Sequence, residues 1–453
     1  MIIEKELLLK YNVPVPRYTS YPTVPYWDET IDNRAWKENI SKQFITHNHE
    51  GISLYIHLPF CEKLCTYCGC NKKITTNHSV EDEYIDAVLN EWSQYKKLMH
   101  GVPLIKELHL GGGTPTFFSS KNLSRLINGI LAGCNVHPQN EFSFEGHPNN
   151  TTEEHLQTLY NLGFRRVSFG VQDNDPEVQR VINRIQPIEN VIAVTEAARK
   201  IGYKSVNFDL IYGLPLQNIN SIEKTILQCI DIKPDRIAFY SYAHVPWTSR
   251  GQRLFDEHDL PSAAEKISLY QLGKKLLMGH GYQDIGMDHF AMPEDDLNIA
   301  RRQGRLHRNF MGYTTSKNSI LIGLGVSAIS DTGNAFAQNT KSLSEYYRAI
   351  NKNNAATRKG YFLTEEDIRF RSYILNVSCN FQTHFDSVDF QLLLQYSFPM
   401  LCVLEEDGLI KWNKEMVTVT MKGRHFLRNI CSAFDMKLLQ HQTSGSLMFS
   451  QAI

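Results

Sequence analysis

Four cysteines, Cys61, Cys65, Cys68 and Cys70, stand within ten positions in the stretch HLPFCEKLCTYCGCN. Thiols gathered so closely point to a metal centre. A single zinc ion is one reading, because four-cysteine sites are common. No second close pair follows a dozen or more residues downstream, so one loop would have to wrap the ion alone, with Cys68 and Cys70 in one tight turn. An iron-sulfur cubane has corners farther apart and suits close cysteines better. If Cys61, Cys65 and Cys68 take three irons, the fourth stays open. An open metal position is the mark of catalysis rather than of structure.

Such a loop needs a rigid frame. Six runs rich in β-branched and aromatic residues recur along the chain: SLYIHL at 53, IKELHL at 105, EFSFEG at 141, RVSFGV at 166, SVNFDLIYG at 205 and RIAFYSYAH at 236. Each reads as a buried parallel strand. Amphipathic stretches lie between them, with starts at Ser79-Val80-Glu81-Asp82 and at Thr151-Thr152-Glu153-Glu154, the second ending near Gly163. Six βα units in series predict an α/β fold, a partial (β/α)6 TIM-like barrel with a mainly helical C-terminal accessory domain. In such folds the chemistry sits on the loops after the strands. Those loops read PFCEKLCTYCGC, GGGTPT, GHPNN, VQDND, GLPLQ and HVPW. Any one of them is ordinary turn chemistry, but six on one face predict a site.

Further along, a helix is expected from about 262 to 281, and NKNNAATRKG at 351–360 reads as a linker. The expected organisation is an N-terminal arm (1–50), a barrel with its extension (51–360) and a helical or winged-helix-like C-terminal domain (361–453). The chain has 453 residues, 42% of them hydrophobic and 21% charged, with a formal net charge of −1. This composition argues against disorder and against a nucleic-acid-binding stripe. The opening MIIEKELLLKYN does not read as a signal peptide, and no run is read as long enough to span a membrane. Nine cysteines, an odd number, with four in one loop, fit a reduced cytoplasmic location better than a disulfide framework. The scattered Cys134, Cys229, Cys379, Cys402 and Cys431 are expected to be small core residues.

CxxxCxxC after the first strand, with GGGTP after the second, resembles the radical S-adenosylmethionine superfamily. Within it the chain resembles the oxygen-independent coproporphyrinogen III oxidases, through PRYTSYPT at 16–23, CGCN, VQDND, NFDLIYGLP, YAHVP, GMDHFA, HRNFMGYTT, GVSAIS and RNIC. The resemblance implies a [4Fe-4S] cluster on Cys61, Cys65 and Cys68 and two molecules of S-adenosylmethionine. It also implies decarboxylation of two propionates of coproporphyrinogen III to vinyls by a 5′-deoxyadenosyl radical, giving protoporphyrinogen IX.

Carried over by position, Tyr55, Tyr67, Gly112, Glu145, Ala243 and Ile329 match contacts to the first S-adenosylmethionine. Gly113, Thr114, Gln172, Arg184 and Asp209 match the second pocket. Tyr55, Cys70 and Glu145 are the candidate catalytic residues, Cys70 being a thiol beside the cluster that does not bind iron. Two positions depart from the family pattern: His147 stands where an acidic residue is expected, and Tyr67 where phenylalanine is expected. Without the resemblance, Asp209 and Arg184 also read as a plain ion pair at a strand end.

Candidates for the substrate carboxylates are Arg17, Lys72, Lys73 and Arg308. The expected partners are coproporphyrinogen III, a low-potential electron donor and an electron acceptor of unknown identity, with the chain a monomer and no nucleic acid or membrane involved. The competing functions are a haem-degrading radical relative, a haem-binding chaperone and a zinc-stabilised binding module.

Overall fold

The computed structural model describes residues 4–440 except 248 and 316, together with Phe449. The last part of the 361–453 segment, residues 441–448 and 450–453, and residues 1–3 of the arm lie outside the described residues.

All six apolar runs form strands: β1 (Ile52–Leu58), β2 (Leu104–Gly112), β3 (Asn135–Gly146), β4 (Phe164–Gln172), β5 (Ser205–Tyr212) and β6 (Arg236–Ser241). They pair in parallel in chain order. A seventh parallel strand, β7 (Leu321–Leu324), lies against the other side of β1 and comes from the LIGLGVSAIS stretch. Antiparallel strands continue the sheet at both ends to a total of twelve among the described residues. The two end strands do not pair with each other, so the barrel stays open as a partial (β/α)6 barrel with an extension.

Helices between the strands cover the sheet because their apolar residues fall on one stripe. In Val80–Leu98 the buried stripe includes Tyr84, Val88, Trp92 and Tyr95. The helix Glu153–Asn161 starts at Thr152, whose hydroxyl accepts from the His155 N–H while the His155 ring accepts from the Thr152 N–H, a reciprocal cap. The helix expected near 262–281 runs over Ala263–Gly279.

Three expectations need correction. The supposed linker at 351–360 runs into a sheet strand, Thr357–Phe362, paired with Ala335–Asn339; Gly360 also bridges to Asp28 of the N-terminal segment. Polar side chains at Thr357, Arg358 and Lys359 masked an edge strand whose backbone carries the pairing. One helical run among the described residues, Ser387–Glu406, does reach spanning length and hydropathy. It packs Leu393, Phe398, Leu401 and Leu404 into a core, while Val388, Leu394 and Val403 of the same run are exposed. Of the scattered cysteines, Cys229, Cys379 and Cys431 are buried, but Cys134 is half-buried and Cys402 is exposed.

Two large cores result. The first is the barrel, reaching from Trp36 to Ala356. The second joins Leu8, Tyr11, Tyr18 and Tyr21 of the N-terminal segment to Met287 and Tyr313 of the extension and to Phe370, Leu401 and Ile430 near the C-terminus. The N-terminal segment is thus packed on the C-terminal one. Tyr18 donates to Asp435 at 3.2 Å, and the Asn429 amide donates to the Tyr11 carbonyl at 2.9 Å.

Candidate active site

The cysteine loop leaves β1 at Leu58 and is held by the loop after β2. Gly113 donates to the Leu58 carbonyl at 2.8 Å and Thr114 to the Phe60 carbonyl at 3.0 Å, continuing the pairing of β1 with β2 past the sheet. Glycine is required there: a Cβ on Gly113 would lie 2.6 Å from the Pro59 backbone, and Gly112, at φ +116°, would press a Cβ onto the His57 ring. The Thr114 hydroxyl reaches Cys61 Sγ at 3.3 Å.

On its other side the loop is tied to the end of the short helix Pro176–Val181 that follows β4. Thr66 donates to the Ile182 carbonyl at 3.0 Å, and the Asn183 amide to the Leu64 carbonyl at 2.7 Å. From the segment beyond β6, Ser249 donates to the Cys68 carbonyl and Gln252 bridges the carbonyls of Tyr67 and Ala243.

Cys61, Cys65, Cys68 and Cys70 line one cavity of about 400 Å³ at the C-terminal ends of the strands. Tyr67, Gly112, Gly113, Thr114 and Glu145 share it with Gln172, Arg184, Asp209 and Lys72. Most sequence-predicted site residues therefore meet in one place. Tyr55 lies beneath, stacked on His109 with ring centroids 5.9 Å apart, its hydroxyl donating to His57 Nδ1 at 3.1 Å. Ile329 backs the same layer: Gly323, the register partner of Tyr55, has no room for a Cβ against the Ile329 backbone. Ala243 reaches the site through Gln252.

The substrate candidates separate. Arg17 and Arg308 come together, with the Arg308 guanidinium 3.3 Å from the Arg17 carbonyl. Lys72 is in the cavity but donates to the Cys68 carbonyl at 2.9 Å. Lys73 is exposed on the short strand Lys73–Ile74 and does not line the cavity.

The cavity is electrostatically graded. Burial alone would raise the Glu145 carboxyl; His109, 3.5 Å away, and the Gly112 N–H at 3.1 Å outweigh it and hold the group below its ordinary value. Asp209 goes the other way: burial, with Glu145 nearby, lifts it to about 6 despite bonds from Ser168 and Asn207. The plain ion-pair reading of Asp209 with Arg184 fails, because Arg184 donates to the Gly170 carbonyl and to Cys65 Sγ instead. Its Nε is buried without a partner. His147 is kept neutral, its value pushed down to about 2 by burial and by Arg184 and Lys63. The charge expected from an acidic residue there is lost, not reversed. Cys68 is lowered to about 6, first by the hydrogen bond from Cys70 and helped by Lys72, and the same bond raises Cys70.

Gln172 has φ +67°, a left-handed conformation costly for a residue with a Cβ, and its amide folds over Gly170. Strain of this kind concentrates at functional sites.

Among the described residues no three His, Cys, Asp or Glu side chains converge on one point as they would around a single ion. Cys61, Cys65 and Cys68 are free thiols lining one cavity, the donor type that holds an iron-sulfur cluster. The unpartnered Arg184 Nε and the carboxylates of Glu145 and Asp209 suit a ligand with both an acidic and an amino end. The donor set therefore fits both groups.

Sequence reasoning missed His57, His109, Ser168, Asn207 and Tyr240. Their signal was available: they are polar groups two apart, or in register, on otherwise apolar strands, as in Tyr55/His57 and Asn207/Asp209.

Residues 55–229 match the Radical SAM superfamily. The oxygen-independent coproporphyrinogen III oxidase of Escherichia coli (strain K12) is 39% identical over 445 residues, covering 96% of this chain and 95% of the relative. That of Synechocystis is 37% identical over 458 residues, covering 99% and 97%. A solved structure of the Escherichia coli coproporphyrinogen III oxidase, described as a radical SAM enzyme, superposes with a TM-score of 0.90 at 38% identity, covering 96% of this chain and all of that one. With this likeness running over nearly the whole length, and the thiol loop, glycine turn and strand-borne carboxylates meeting in one cavity, the chain belongs to the oxygen-independent coproporphyrinogen III oxidases, a family of radical S-adenosylmethionine enzymes.

Proposed function

We propose that the cavity is where a 5′-deoxyadenosyl radical meets coproporphyrinogen III. The chain is an oxidoreductase of haem biosynthesis, converting two propionates of coproporphyrinogen III to vinyls and giving protoporphyrinogen IX. The observation that carries this reading is the meeting of Cys61, Cys65 and Cys68 with Glu145, Arg184 and Asp209 in one cavity, in a chain alike to the named oxidases end to end. When bound, a [4Fe-4S] cluster and S-adenosylmethionine supply the electron and the radical that takes a hydrogen atom from the propionate β-carbon. On the substrate, loss of CO2 and of one electron to an acceptor then leaves each vinyl.

The protein's part is to hold and to shield. Cys61, Cys65 and Cys68 would carry the cluster, and Cys70, a free thiol hydrogen-bonded to Cys68, would face the substrate side. Glu145, held ionised, accepts from the amino group of one S-adenosylmethionine, with Tyr55, Tyr67, Gly112, Ala243 and Ile329 forming its walls. Arg184, Asp209, Gln172, Gly113 and Thr114 would take a second molecule, Arg184 Nε donating to its carboxylate. The N-terminal arm (1–50) and the C-terminal region (361–453) serve as the cover over the barrel (51–360), keeping water and oxygen from a carbon radical. A low-potential donor and a separate acceptor complete the cycle, with the chain working as a cytoplasmic monomer.

Anaerobic reconstitution with iron and sulfide, followed by S-adenosylmethionine, a reductant, a one-electron acceptor and coproporphyrinogen III, should yield protoporphyrinogen IX and 5′-deoxyadenosine. Cleavage of haem, or stoichiometric haem transfer with no vinyl product, would overturn the reading in favour of a haem-degrading enzyme or a haem-binding chaperone.

A further inference from the structure

Four basic side chains outside the cluster cavity converge on two short pieces of backbone. Arg17 donates to the Ser241 carbonyl at 2.8 Å, and Lys266 donates to the adjacent Tyr242 carbonyl at 2.9 Å, both just past the end of β6. Arg308 reaches the Arg17 carbonyl at 3.3 Å, and Arg428 donates to the carbonyls of Pro16, at 3.2 Å, and Val15. Arg308 and Arg428 therefore hold the PRYTSYPT arm by its main chain, while Arg17, Lys266 and Arg428 lie within reach of one another's charge.

Arg308 is 6% exposed, and its Nε and Nη1 are buried with no hydrogen-bond partner. Among the described residues Arg17, Lys266 and Arg308 make no ion pair. Asp288 is the carboxylate whose charge reaches Lys266 and Arg428. The crowding is felt: burial, then Arg17 and Arg428, pushes Lys266 down to about 8, and burial, then Arg17, pushes Arg428 down to about 10. A guanidinium buried with two of its nitrogens unpartnered, as at Arg308, is costly unless an anion completes it.

A wall of rings joins this spot to the chemistry. Tyr240 lines the cluster cavity and also a smaller cavity beneath it of about 120 Å³. Its ring lies 5.7 Å from that of His289, which lies 5.2 Å from Tyr313. The Arg308 guanidinium sits 4.8 Å from the Tyr313 ring centroid.

We infer that Arg17, Lys266, Arg308 and Arg428 form a carboxylate receptor that grips a propionate of the tetrapyrrole remote from the reacting carbon. The inference rests on the function proposed above. Lys266 and Arg308 contact the propionate, Arg308 with the fork that matches a carboxylate. Arg428 is a positioning residue: it straps residues 15–16, which sets where Arg17 enters the receptor. Gripping a far propionate orients the macrocycle without touching the reacting bond, so binding energy from one end fixes geometry at the other.

The test uses coproporphyrin III, the oxidised macrocycle with the same four carboxylates, titrated into the reconstituted protein with fluorescence as the readout. Lys266→Met and Arg308→Met should each weaken binding about 10- to 150-fold, and Lys266→Arg should restore most of the loss. The tetramethyl ester should bind the unsubstituted and Met-substituted proteins alike, and S-adenosylmethionine affinity should stay unchanged in both variants. Full coproporphyrin III affinity in both Met variants overturns the receptor alone. A loss confined to S-adenosylmethionine binding overturns it by assigning the cations to the cofactor's carboxylate. Failure of the unsubstituted protein to bind coproporphyrin III or coproporphyrinogen III overturns the functional reading, and the receptor with it.

Discussion

Replacing Asp209 with asparagine should separate what the ligands require from what the fold would prefer. The Asp209 carboxylate accepts from Ser168 at 2.7 Å and from the Asn207 amide at 2.9 Å, yet burial and the neighbouring Glu145 still raise it from 3.8 to about 6. The folded chain holds this proton more tightly than the unfolded chain does. Stability therefore falls as pH rises from 3.8 through 6, and the loss is complete above that range. A rise of this size corresponds to at most about 3 kcal/mol.

Asparagine never ionises, so it escapes the cost. Its amide cannot accept from both donors, however, and one lost hydrogen bond costs about 1 kcal/mol. Without ligand, the Asp209→Asn protein should thus be more stable than the parent by about 2 kcal/mol near neutral pH, an advantage that vanishes near pH 4. Urea unfolding of the ligand-free protein at both pH values, followed by tryptophan fluorescence, measures this difference. The same variant should bind S-adenosylmethionine roughly tenfold or more weakly, because a contact to a charged acceptor is worth about 1.5–3 kcal/mol. A variant no more stable than the parent at neutral pH, or more stable by the same amount at both values, would refute the burial argument. Unchanged S-adenosylmethionine affinity would remove Asp209 from the site.

The other expectations are simpler. Replacing Cys61, Cys65 or Cys68 singly with alanine should abolish the cluster, read as iron and sulfide content and the reduced-state paramagnetic signal, whereas Cys70→Ala should keep its iron; marked iron loss in that variant would make Cys70 a ligand. Gly113→Ala should detach the glycine turn from the cysteine loop, because the new Cβ meets Pro59 backbone at 2.6 Å and neither side can yield cheaply; reconstituted iron should fall and the unfolding midpoint drop, while a midpoint equal to the parent's would show that the turn accommodates a side chain. Arg17→Ala should impair vinyl formation and leave cluster content and S-adenosylmethionine binding intact; lost S-adenosylmethionine binding would reassign the arm to cofactor support.

The local chemistry of this protein was written in its sequence. The four thiols, the glycine turn and the six apolar runs were legible because each depends on residues close in the chain: a loop's cysteine spacing, a turn's need for room, a strand's run of β-branched and aromatic side chains. Long-range association was not. The strand Thr357–Phe362 was hidden because edge pairing is made by backbone, which leaves no side-chain pattern. Ser387–Glu406 looks apolar enough to span a membrane, and only its packing partners reveal the second core. His147 is kept neutral by burial and then by Arg184 and Lys63, none of which a linear reading can place around it. Asp209 and Arg184, 25 positions apart, were as readily an ion pair as two separate ligand contacts until register set Asp209 opposite Gly170, whose carbonyl takes the arginine instead. Lys266 carries no local mark, and Arg428, although it opens the RNIC motif, has nothing beside it in the chain to link it to the arm. They join Arg17 only because the arm folds back across the end of β6, and charge density at a point is a property of distances that one dimension does not contain.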